Sequence, residues 1–162
     1  MSIMGMTEDG VMLRPRYTDE VVRRRAAEMA LSEVKCWMGL PQGESDASIV
    51  ETLMKVIHLG DGFDIAKELD DKGWDADAEL VELMDRGFVS EAERELIKQW
   101  VQCVGVKPKH AIGETVTMLR GFSGNKRGVI VEIREDEAVY GIHTSDQKET
   151  HRWVIAYEDV EP

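Results

Sequence analysis

The chain has 162 residues, 43% hydrophobic and 32% charged, with 20 Lys and Arg against 32 Asp and Glu for a formal net charge of −12. Such a length and composition predict one compact domain or two small ones and argue against disorder as the main state. The negative charge disfavours a general binder of nucleic acid or anionic lipid and favours a protein partner with a basic surface.

The opening MSIMGMTEDGVML has no basic region followed by a long apolar core, and no run approaches the length of a membrane span. A cytoplasmic protein without membrane contact is expected. Cys36 and Cys103 are too few for a disulfide scaffold or a four-ligand zinc site, and their helical settings predict small buried hydrophobes.

Five helices have start and stop signals. The first follows Thr18 as N-cap, with Asp19 and Glu20 suiting the helix dipole, and ends near Gly39 ahead of Pro41. Its apolar stripe is Val22, Ala26, Met29, Ala30 and Trp37. Glu33 falls in the middle of that stripe, and a buried unpaired carboxylate is costly. Either an arginine from elsewhere meets it or the stripe is shallower than it looks. The second helix opens at the capping box Ser48 to Glu51, or slightly earlier at Ser45, and ends at Gly60. Its Ile49, Val50, Leu53, Met54, Val56 and Ile57 cover a broad arc, as a central helix would. The third spans about 63–72 and stops at Gly73; the fourth follows Asp75, turns Ala76, Leu80, Val81 and Met84 inward, and ends at Gly87. The fifth opens with the capping box Ser90 to Glu93 and carries Leu96, Ile97, Trp100, Val101 and Val104 before Gly105. Such short connections predict a compact helical bundle.

After Gly113 the apolar period switches to two, which predicts short strands over 115–119, 128–133, 138–142 and 151–156. So many strands in so short a stretch would leave a flat sheet with a bare face, so a small closed barrel is expected. The chain reads as α+β: an acidic helical domain over 1–104 with a flexible beginning of about 15 residues, a linker over 105–112, and a five-stranded barrel over 113–162. The acidity belongs to the helices, since residues 1–104 carry net −10 and residues 105–162 net −2. Within the helical part, residues 61–95 hold 13 acidic side chains against Lys67, Lys72, Arg86 and Arg94, whereas residues 14–25 hold five arginines.

No nucleophile elbow, phosphate loop, dinucleotide fingerprint or His-Glu-x-x-His pair occurs. The run Asp75, Asp77, Glu79 lacks the central glycine and twelfth-position glutamate of a calcium loop, those places being Leu80 and Arg86. Read as a DNA-recognition helix, the same stretch would repel the duplex through Asp75, Asp77, Glu79, Glu82 and Asp85. His58 and His110 read as solvated residues. His143 and His151 flank a loop with Asp146 and Glu149, but no fixed ligand spacing supports a metal there, and no metal or cofactor is assigned.

The segments Ile112-Gly-Glu-Thr-Val116, Arg120-Gly-Phe-Ser-Gly124-Asn-Lys-Arg-Gly128-Val-Ile-Val-Glu-Ile133 and Arg152-Trp-Val-Ile-Ala-Tyr-Glu-Asp-Val160 together resemble an SH3-like barrel of the KOW type. Gly113 and Glu114 match the family's opening, Gly121, Gly124 and Gly128 its glycine-rich turn, and Val160 its closing apolar residue. The resemblance implies nucleic-acid or ribonucleoprotein contact through Arg120, Phe122, Lys126, Arg127 and Arg134. The order of helices first and barrel last, including Leu83-Met-Asp-Arg-Gly-Phe-Val-Ser-Glu-Ala-Glu93, is also similar to the β-subunit of nitrile hydratases and their accessory proteins. That likeness implies an accessory role beside a metal-containing partner subunit.

From charge alone, the leading expectation is a non-enzymatic interaction protein, an adaptor or inhibitor, whose acidic helical surface docks on a basic partner; a homo-oligomer stays open. The docking residues are expected to be Asp61, Asp64, Glu68, Asp70, Asp71, Asp75, Asp77, Glu82 and Asp85. Charge complementarity of this kind speeds encounter, selects partners and is salt-dependent.

Overall fold

In the computed structural model, which describes residues 12–40, 46–119, 126–146 and 151–162, helices come first and strands last, and the class is α+β. The helices are α1 (Glu20–Trp37), α2 (Asp46–Val56), α3 (Gly62–Asp71), α4 (Ala78–Met84) and α5 (Phe88–Val104). Although α2 stops at Val56, short of the expected Gly60, the other helices end close to the glycines that predict their ends. Gly73 and Gly105, for instance, take φ of +88° and +70° just past α3 and α5, a left-handed conformation that costs glycine nothing.

The starts differ from expectation. Asp19, not Thr18, is the extended residue before α1, and its Oδ2 accepts from the Arg16 amide rather than from the helix. Ser48 and Ser90 lie inside α2 and α5, so neither opens a capping box, while the alternative start near Ser45 agrees with α2 beginning at Asp46, Ser45 itself lying outside the described residues. The Ser48 carbonyl accepts from the Thr52 hydroxyl one turn on, and Glu93 accepts from the Tyr17 amide. Ser-x-x-Glu spacing suits one helical face as well as a cap, so the motif alone does not fix a start. The fourth helix begins after Asp77, two residues later than expected from Asp75.

Two compact units divide the chain, Met1–Leu96 and Ile97–Pro162, with the division inside α5. In the first, α1 packs on α2 and α4, and α3 on α2 and α4. Fully buried Ala26, Ala27 and Ala30 give α1 a flat face for close approach, and Leu53, Ile65, Leu69 and Leu80 fill the centre. Ala92 and Leu96 bring the first part of α5 into the same core. The wide apolar arc of α2 is real, since Ile49, Val50, Leu53 and Val56 are all buried.

The second unit holds β1 (Thr115–Met118), β2 (Lys126–Arg134), β3 (Val139–His143), β4 (Trp153–Ala156), a 3-10 turn at Tyr157–Asp159, and β5 (Val160–Glu161). The strands form one antiparallel sheet in the order β4-β3-β2-β1-β5. Its edges, β4 and β5, do not pair among the described residues, so the expected closure into a barrel does not extend to the hydrogen-bond ladder. The two-residue β5, which pairs with β1, is too short to bridge both edges. Val116, Met118, Ile130, Tyr140 and Ile142 point inward and are buried. The stretch 105–112 is bound to this unit: the Tyr140 hydroxyl accepts from the Lys109 and His110 amides at 2.9 and 3.1 Å. No described helix is long and apolar enough to cross a membrane.

Candidate interaction surfaces

The acidic residues of α3 and α4 divide by duty. Asp61 caps α3, its Oδ1 accepting from the Asp64 amide at 3.0 Å. Asp77 caps α4 through the Leu80 amide at 2.9 Å and also accepts from the Trp37 indole at 3.0 Å. Those donors, the Leu80 N–H foremost, hold its carboxyl below the usual aspartate range. Trp37 in turn stacks on Trp74 at 6.3 Å between centroids, so Asp77 ties together the end of α1, the α3–α4 connection and the start of α4. Asp85 accepts from the Gly62 amide across the α3–α4 contact. A Cβ at Gly62 would sit 2.2 Å from the Val81 carbonyl, which shows how closely the two helices approach.

Three of the nine expected docking carboxylates therefore hold the fold, and Glu68 pairs with Lys72 at 3.8 Å. Asp64, Asp70, Asp71, Asp75 and Glu82 are exposed and meet no cation among the described residues. Asp70 and Asp71 stand in the last turn of α3, which holds no basic residue of its own, Lys72 following as the C-cap. Glu33, on α1, meets Arg86, as the expectation of an arginine partner required; it is half-buried, so the stripe is also shallower there. Lys35, nearly fully buried on α1, is matched by Asp46 at the start of α2.

In the sheet unit the expected cations are mostly engaged. Lys126 binds Asp146 at 2.5 Å and lies 5.6 Å from the Trp153 ring centroid. Lys126 and the Thr144 hydroxyl hold the Asp146 carboxyl down to about 2. Arg134 binds Glu132 at 3.1 Å, an interaction that lowers the Glu132 carboxyl and raises the guanidinium. Arg127 is exposed and meets no carboxylate among the described residues, while Arg120 and Phe122 lie outside them.

Strand register also groups residues that the sequence reading passed over. On β2, Val129 pairs with His143, and a bulge between Ile130 and Glu132 lets Val131 and Glu132 both face outward. Gly141 lies opposite both Glu132 and Val154. Arg152 reaches across to Glu132 at 3.0 Å, passing over Gly141, where a Cβ would meet the Arg152 Cδ at 3.2 Å. The signal was available as the alternation along 127–134 and 152–156, but only register shows which residues share a face.

Cys36 and Cys103 are both exposed, contrary to expectation: Cys36 turns outward beside buried Val34 and Lys35, and Cys103 lies on the solvated last turn of α5. His58 is exposed, and His110 contacts Glu114 at 3.0 Å. The Nε2 of His143 is shut off from solvent with no hydrogen-bond partner among the described residues. Among the described residues no group of three or more His, Cys, Asp or Glu side chains is placed to hold a metal ion, and Glu149 lies outside them.

Comparison with protein-family models, curated proteins and solved structures found no match.

Proposed function

We propose that this chain is a non-enzymatic interaction protein whose helical unit docks, through the acidic surface of α3 and α4, on a protein with a basic surface. The observation that carries the reading is the contact at Gly62. The Asp85 carboxylate and the missing Cβ lock the two acidic helices together, so their free carboxylates form one fixed array rather than two mobile ones. Asp70 and Asp71 add support: acids at a helix C-terminus cost roughly 0.3–1 kcal/mol each, so they do not contribute to the stability of α3. A surface kept acidic against the local interest of its helix suits a partner that supplies the cations.

The sheet unit is read as SH3-like. Its support is the antiparallel order β4-β3-β2-β1-β5 with a short 3-10 turn ahead of the last strand. Nucleic-acid contact through the KOW-type resemblance is the weaker reading, because Lys126 and Arg134 already hold carboxylates.

The test is affinity purification with the full chain and with a variant carrying Asp70→Asn, Asp71→Asn and Glu82→Gln, none of which caps a helix. The variant is expected to melt no lower than the parent and to lose partners that the parent releases with rising salt. An identical, salt-insensitive partner set for both proteins would overturn the reading.

A further inference from the structure

The outer face of β2, β3 and β4 interleaves exposed apolar and cationic side chains in a chain of net charge −12. Val129, Val131 and Val154 are exposed there at 39%, 45% and 51%. The register sets Val129 beside His143, and sets Val154 across Gly141 from Glu132. Gly141, without a side chain, leaves the middle of the face low, and the Glu132 and Arg152 side chains cross it. Arg127, Arg134 and Arg152 bring three guanidiniums to this part of the sheet. Glu132 is shared by Arg134 and Arg152, Glu137 stands 3.7 Å from Arg134 at the far end, and Arg127 has no carboxylate among the described residues.

We infer that this face docks an acidic protein segment with an apolar side, such as an amphipathic helix bearing carboxylates along its flanks. Charge complementarity selects the occupant: the guanidiniums outnumber the carboxylates, and the partner's acids complete Arg127 and the outer edge of Arg152. The valines select its other half. They offer contact area that a phosphate backbone does not use, which sets nucleic acid behind protein. This face is distinct from the α3–α4 surface and seeks a partner of opposite charge.

The experiment titrates the full chain with a fluorescently labelled helical peptide of Leu and Glu, at about 0.15 M salt so that screening confines the remaining acidic charge of the chain. The same peptide with Lys for Glu and single-stranded oligo-thymidine serve as comparisons. The Leu-Glu peptide is expected to bind saturably, and Val154→Ser, Arg152→Gln and Arg127→Gln each to weaken it by roughly three- to five-fold, about 1 kcal/mol apiece. All three side chains are exposed, and Arg127 has no partner among the described residues, so Arg127→Gln keeps the test valid if another variant misfolds. The Lys peptide is expected to ignore these substitutions. Absence of saturation, parental affinity in all three variants, or oligo-thymidine binding that Arg152→Gln abolishes would each overturn the inference.

Discussion

Single carboxylates in this chain do different work at similar exposure, and hydrogen-bond donors decide which. Asp146 is the clearest case: the Lys126 ammonium and the Thr144 hydroxyl both bind it at 2.5 Å and hold its carboxyl down to about 2. A carboxyl depressed in the folded state stabilises the fold above its unfolded value near 3.8, and that contribution disappears as pH falls through about 2. Carbon-detected NMR titration of the side chain is expected to give a midpoint near that value. In Lys126→Met the midpoint should rise toward the ordinary aspartate range, because its largest cause is gone while the Thr144 hydroxyl remains. An unmoved midpoint in that variant would mean that the Lys126 contact does not persist in solution. Asp77 and Asp75 make the same point without titration: two residues apart in one acidic run, one accepts from Leu80 and Trp37 and the other meets no partner among the described residues. The Leu80 amide is the nearer and larger cause, but the second donor, the Trp37 indole, lies forty residues away and leaves no mark in the local sequence.

For the elements, close approach matters more than propensity. At Gly62 an added Cβ would meet the Val81 carbonyl at 2.2 Å and the Asp85 carboxylate at 2.7 Å, so Gly62→Ala has to push α3 away from α4. Overpacking of this kind costs about 1–3 kcal/mol, although alanine is intrinsically the better helix residue. Gly62→Ala is therefore expected to lower the urea midpoint clearly, with little change in the slope. The control is Asp70→Asn, on the same helix but with no cation at its carboxylate among the described residues, which should leave the midpoint unchanged or slightly higher. If Gly62→Ala melts like the parent, α3 and α4 are not locked, and the fixed acidic array loses its basis. The helix ends were legible because glycine at positive φ is a local requirement written into one residue. The starts were not, because caps compete with equally good uses of the same side chains: Asp19 caps its own turn and Glu93 serves Tyr17. Strands were legible from alternation, but the Ile130–Glu132 bulge and the outer sheet face emerge only from pairing between distant segments.

Across the molecule, the shift from helix to strand near residue 105 marks a change of secondary structure, while the compact units part earlier, between Leu96 and Ile97. Lys98, in the second part of α5, pairs with carboxylates of the sheet unit. The Lys98 ammonium binds Asp136 at 2.8 Å and approaches Glu137 at 3.8 Å, both in the β2–β3 connection. Hydrogen bonding to Lys98 holds the Asp136 carboxyl below its usual range. Trp100, 7% exposed, stands in the same part of α5 and outside the helical core. A fragment that begins at Gly105 discards both residues, whereas one that begins at Glu95 keeps them. Burial of one large side chain contributes roughly 1.5–3 kcal/mol, and in a domain this small each kcal/mol moves the melting temperature by about 4–8 °C. The longer fragment is accordingly expected to melt at least about 5 °C higher than the shorter one, and in the shorter fragment the Asp136 carboxyl should titrate closer to an ordinary aspartate. Because Lys98 acts through charge, the Asp136 difference should shrink with salt, while a difference due to Trp100 should persist. Equal melting and equal Asp136 titration in the two fragments would mean that α5 belongs wholly to the helical unit and that the sheet unit begins where the secondary structure changes.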